Sequence, residues 1–155
     1  MQNCINININ NVKRPYSPIA TLCLLLIIVL AAASCGAEKN MKKGEKYLAI
    51  GEYYDAATQF KQAYSKTAPK EKARRGQIAL KIAHCNERIN ATQKSMAAYA
   101  NAIRYGQAST LDRLAYARQL LKNGSYKQAE AQFSIVIDSL DAESPEMILA
   151  RNGLT

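Results

Sequence analysis

Three times along this chain a small residue, an aromatic ring and a second compact residue recur at steps of four and then three: Ala56, Phe60, Ala63; Ser95, Tyr99, Ala102; and Ala129, Phe133, Val136. Steps of three and four place side chains on one face of a helix. The step from Ala102 to Val136 matches the period of about 34 residues at which helix-pair repeats return. The step from Ala63 to Ala102 is longer by five, and the extra length falls around Thr67 to Lys72, where Pro69 breaks the helix. A pattern that returns in this way means a fold made by stacking like units, because one unit cannot bury its apolar face alone.

Each triplet follows a turn, in segments starting at Gly51, Asn90 and Gly124, and each is preceded by a helix with its own small residue: Gly44 before Tyr47, Ala83 after Ile82, Ala117 after Tyr116. A small side chain on the first helix lets the second approach closely, and the aromatic fills the space towards the next unit. From about Asn40 to Leu140 the chain resembles the tetratricopeptide repeat (TPR) family. The resemblance implies an all-α fold of antiparallel helix pairs forming a short right-handed solenoid, with repeats at about 40–68, 71–106 and 109–141. The second repeat departs most, with Asn86 where an aromatic or leucine is usual and Ser95 in place of alanine. Beyond Asp141, Ser144 and Pro145 start a further or capping helix within 142–155 that Asn152 and Gly153 end. So short a helix is a poor polar cap for a repeat array, which implies the front part of a longer protein.

The chain opens differently. Lys13 and Arg14 precede an apolar run from Ile19 to Ala33, followed by Ser34, Cys35 and Gly36. This is the order of a secretory signal, and the run is shorter than the roughly 20 residues that span a bilayer as a helix. Leu30, Ala31, Ala32, Ala33, Ser34 and Cys35 resemble a bacterial lipobox, with Ala32 where leucine is commoner. The resemblance implies a signal peptide over 1–34, lipidation of Cys35, a lipidated linker over 35–39, and anchoring by more than one acyl chain. In that resemblance, Gly36 in place of the inner-membrane retention aspartate implies the outer membrane, and the lack of a strongly acidic run after Cys35 implies its periplasmic side. A lipobox followed by MKKGEKYLAIGEYYDAATQFKQAYSKT, helix pairs and ARNGL resembles the start of the OmpA-family lipoproteins of the Bacteroidota envelope, including PorE-type members that serve gliding and type IX secretion. Members continue into a peptidoglycan-binding domain that has no counterpart among these residues, so wall binding maps to none of them.

The same resemblance to TPR proteins implies a partner groove lined by the first helices: Met41, Glu45 and Leu48; Gln77, Leu80, His84, Glu87 and Arg88; and Leu111, Leu114, Arg118, Leu121 and Lys122. Arg88, Arg118 and Lys122 make a basic end suited to a carboxylate or acidic peptide. Some of the leucines, Leu48 and Leu121 first, are equally suited to packing between repeats. Tyr47, Tyr53, Tyr99 and Tyr126 are core candidates. Asp138, Ser139 and Leu140 resemble the short O-glycosylation signal of exported Bacteroidota proteins, which marks Ser139.

Without Lys13 and Arg14, 19 basic face 12 acidic residues, a scattered excess of +7 whose densest run, Lys70 to Arg75, lacks interleaved aromatics and reads as a solvated helix start, not a nucleic-acid surface. Two cysteines beyond residue 34 and one histidine cannot supply a disulfide framework or a four-ligand zinc site. No nucleophile with its base and no phosphate-binding glycine loop is present in the sequence, so the reading is a cofactor-free binding scaffold rather than an enzyme.

Overall fold

The computed structural model describes residue 22, residues 36–139 and residues 145–153. The segment expected to be a signal peptide, apart from Leu22, and the expected lipidation site Cys35 thus lie outside the described residues. The described residues from 36 onward belong to one compact unit. It is all-helical, with no strand among the described residues. The helices are α1 (36–49), α2 (Tyr53–Lys66), α3 (Lys72–Arg88), α4 (Thr92–Arg104), α5 (Thr110–Lys122), α6 (Tyr126–Asp138) and α7 (Pro145–Asn152). From α2 onward each packs chiefly on its neighbours in the chain. No helix among the described residues is long and apolar enough to cross a membrane.

Residues 36–39 belong to α1, which corrects the linker expected over 35–39. They are helical because they have packing partners: Ala37 is buried, Glu38 pairs with Arg74 at 2.9 Å, and Asn40 donates to Gln62 at 3.1 Å.

Three helix pairs close through the same turn. Gly51, Asn90 and Gly124 have φ of 79°, 55° and 76°, and the next residue's N–H reaches five back: Glu52 to Tyr47 O at 3.0 Å, Ala91 to Asn86 O at 2.8 Å, Ser125 to Leu120 O at 2.9 Å. This is the Schellman closure, which needs the left-handed conformation that glycine and asparagine tolerate best. The turn residues repeat the spacing of the aromatic triplets: Gly51 to Asn90 equals the step from Ala63 to Ala102, and Asn90 to Gly124 equals that from Ala102 to Val136.

Packing follows the small-residue logic. A Cβ on Gly44 would stand 2.5 Å from the Phe60 ring, and one on Gly153 would stand 2.4 Å from Phe133. Ala83 and Ala117 are fully buried, as are Phe60 and Tyr99, with Phe133 nearly so. Each ring contributes about 2 kcal/mol by leaving water. Ser95 keeps its small size and satisfies its hydroxyl by donating to Ala83 O at 3.1 Å. Asn86, also buried, donates to Ile82 O at 2.8 Å. Helix α7 brings Ala150 and Gly153 onto the cluster that holds Phe133 and Val136.

Of the tyrosines expected in the core, Tyr99 is buried and Tyr47 and Tyr53 are half-buried. Tyr126 is a correction: it is 68% exposed, standing at the first residue of α6 where no helix covers it. The basic run forms the start of α3, with Lys70 and Lys72 exposed and Arg75 folded back, its guanidinium 4.1 Å from the Tyr64 ring and donating to Thr67 O at 2.8 Å. That contact ties the extra loop residues to both flanking helices.

Candidate functional site on the first helices

Cross-links between first helices define their arrangement. Glu38 meets Arg74 at 2.9 Å and Glu45 meets Lys81 at 2.7 Å, with the same sequence separation in both pairs, so α1 and α3 run parallel in constant register. His84 meets Asp112 at 2.8 Å and Glu87 accepts from Gln119 at 3.1 Å, which sets α5 parallel to α3 in turn. Exposed pairs of this kind contribute at most about 1 kcal/mol each; their weight is in register.

Along α3, Gln77, Lys81, His84 and Arg88 follow at steps of four, three and four and form one accessible stripe. On α5 the corresponding stripe is Leu111, Arg118 and Lys122. Arg88 and Lys122 end their helices, so the parallel arrangement gathers Arg88, Arg118 and Lys122 towards one end of the shared face. None of the three has a carboxylate within ion-pair distance among the described residues. Arg88 lies 5.3 Å from the Tyr53 ring and donates to its hydroxyl at 3.3 Å, and with His84 and Glu87 it borders an open hollow of about 550 Å³.

The acidic groups here are already engaged. Glu87 accepts from the Tyr99 hydroxyl at 2.6 Å as well as from Gln119. Burial and the neighbouring Glu87 carboxylate push the Tyr99 phenol well up, so it stays a donor. Asp112 closes a capping box with Ser109, accepting from its backbone N–H at 2.8 Å, and also receives His84. Burial pushes its carboxyl up, but the Ser109 hydrogen bonds and His84 outweigh this and hold it below the usual carboxylate range. The buried Cys85 thiol, raised by desolvation, is a core group.

Compared with known proteins, the sequence matches no family model and no curated protein. The site therefore rests on its own geometry.

Of the residues assigned to the groove, Glu45, Gln77, His84, Arg88, Leu111, Arg118, Leu121 and Lys122 are accessible. Leu114 is corrected to a core residue, 2% exposed between Leu120, Phe133 and their neighbours. Met41 and Leu48 pack against the Phe60 cluster and Leu80 against the Tyr99 cluster, while Glu87 points its carboxylate at α4 and α5. The physical reason is common to all: a first helix lies between neighbours on two sides, and one step of about 100° around it moves a side chain from the open face to a packed one. Lys81 and Asp112 belong to the face and Gln119 lies buried behind it against Glu87; none of the three was expected there. The Ser109–Asp112 spacing of a capping box is a legible signal for Asp112; the buried Gln119 carries none. Ser139 caps α6, its hydroxyl donating to Val136 O at 2.9 Å, while Leu140 lies outside the described residues.

Proposed function

We propose that this chain is an envelope lipoprotein, lipidated at Cys35, whose helical part is a TPR-type scaffold that captures a carboxylate-bearing or acidic segment of a protein partner on the α3–α5 face. The observation that carries this reading is the gathering of Arg88, Arg118 and Lys122 at one end of parallel helices, with the nearby carboxylates of Glu87 and Asp112 taken up by Tyr99, Gln119, Ser109 and His84. A cationic end with no ion-paired carboxylate among the described residues favours a partner that brings one. The TPR reading is supported by the shared spacing of aromatics and turn residues, and the lipoprotein reading by the order Lys13, Arg14, apolar run, Ser34, Cys35.

Two measurements test it. The mass and membrane partition of the matured chain are compared with Cys35→Ala, the expected result being cleavage before Cys35 plus acyl chains, lost in the variant; identical behaviour of the two overturns the anchor. Co-purification from solubilised envelopes is compared between wild type and a variant with Arg88, Arg118 and Lys122 changed to glutamate, and an unchanged set of partners overturns the basic-end assignment.

A further inference from the structure

A second cavity lies away from the basic end, between α2 and α4 over a floor of α3. It has a volume of about 460 Å³, within the range of sites for small organic ligands. Helices α2 and α4 pack on α3 and hardly on each other. The floor is apolar, from Ala79 and Ile82, and so are the lower walls at Ala57 of α2 and Ala98 of α4. Lys61 on α2 and Lys94 on α4 border it, no carboxylate residue is among its lining, and neither lysine has an ion-pair partner among the described residues.

The cavity is written into the sequence. Moving one repeat along, by the step from Gly51 to Asn90 for α2 and from Asn90 to Gly124 for α3 and α4, the places of Ala57, Ala79, Ile82 and Ala98 are taken by Met96, Arg113, Tyr116 and Gln132. There the larger chains fill the space: Met96 and Tyr116 pack on the Phe133 cluster and Arg113 donates to Gln132 at 3.0 Å. The first interval keeps alanine at three of those four places and so leaves room.

Asn86 gives an independent pointer. It lines the cavity and donates its amide N–H₂ to Ile82 O, while its amide oxygen makes no hydrogen bond among the described residues and keeps access to solvent. Such an accessible carbonyl beside the apolar floor is an acceptor to which a ligand hydroxyl can donate.

From these features we infer that the α2–α3–α4 cavity binds a medium-chain carboxylic acid carrying a hydroxyl group. The chain covers the alanine and isoleucine floor, the carboxylate meets Lys61 and Lys94, and the hydroxyl donates to Asn86. Tyr54 and Tyr64, ten residues apart on α2 and therefore about 15 Å along its axis, bound the cavity's length, which fits a compact amphiphile better than a long peptide helix. The inference is independent of the basic end and of lipidation.

The test titrates the helical unit within the full chain with a hydroxylated decanoate and with decanoate, following backbone amide signals. Saturable shifts at Ala57, Ala79, Lys61 and Lys94 are expected, with the hydroxylated acid binding several-fold tighter. The filled variant Ala57→Met with Ala98→Gln, which installs the residues of the next repeat, should bind at least tenfold more weakly. Lys61→Glu with Lys94→Glu, surface changes that leave the floor intact, should do the same. The inference is overturned by absence of saturable binding, by equal affinity for the two acids, by undiminished binding in either variant, or by shifts confined to the α3–α5 face.

Discussion

The Tyr99 hydroxyl concentrates the energetics of the middle repeat in one atom. Its ring fills the core beside Ala83 and Ala98, and its O–H is the short donor to a Glu87 carboxylate that Gln119 alone cannot satisfy. Tyr99→Phe preserves the ring and removes the donor, so it should cost about 1–3 kcal/mol, read as a lowered urea midpoint with an unchanged slope. The turn residues make a second case. Gly124→Ala places a Cβ at φ 76° in open space, where the loss is conformational strain rather than a clash, about 1 kcal/mol. Asn90→Gly at φ 55° should be nearly neutral because it relieves strain in the folded chain while loosening the unfolded one. Paired thermal melts separate the two, and a larger loss at Asn90 than at Gly124 would contradict the equivalence of the turns.

At the level of the helix, α5 depends on its start. Asp112 caps it through Ser109 and also ties it to α3 through His84. Its carboxyl is held below the ordinary value, so its contribution is present above the unfolded carboxylate pKa of about 3.9 and is lost as pH falls through its lower folded value. Asp112→Asn should therefore cost about 1 kcal/mol at neutral pH, in line with other caps, and flatten the acid limb of the stability profile. Chemical denaturation at a series of pH values reads both. Helices are also where the sequence was most legible. Alanine and aromatic spacing, Pro69 and the Gly51, Asn90 and Gly124 positions announce an all-helical chain and where its pairs turn. The open face was less legible: Leu114 and Leu111 are three residues apart with the same side chain, yet one is core and the other exposed. Only the neighbour each faces decides between them. Lys81 and Asp112 gain their meaning from Glu45 and His84, partners on other helices too far along the chain for local pattern to carry any signal.

Over the whole unit, each helix from α2 to α6 relies mainly on the ones before and after it, so stability is shared between neighbours rather than held in one centre. The apolar clusters repeat this division: one joins α2 and α3 with side chains of α1, another joins α5, α6 and α7, and a third around Tyr99 lies between them. A lesion at one end should then stay local. Phe133→Ala removes the ring that closes against Gly153 and packs with Val136 and Ala150, a loss of about 3–5 kcal/mol in its own cluster. Hydrogen exchange should show α5, α6 and α7 opening at much lower free energy while the amides of α2 and the first half of α3 keep most of their protection. Equal loss of protection from α2 to α7 would mean that the pairs unfold as one cooperative block. In that case the contacts across α4 would be strong enough to couple the lysine-bordered cavity to the basic end, and ligand in one would alter occupancy of the other.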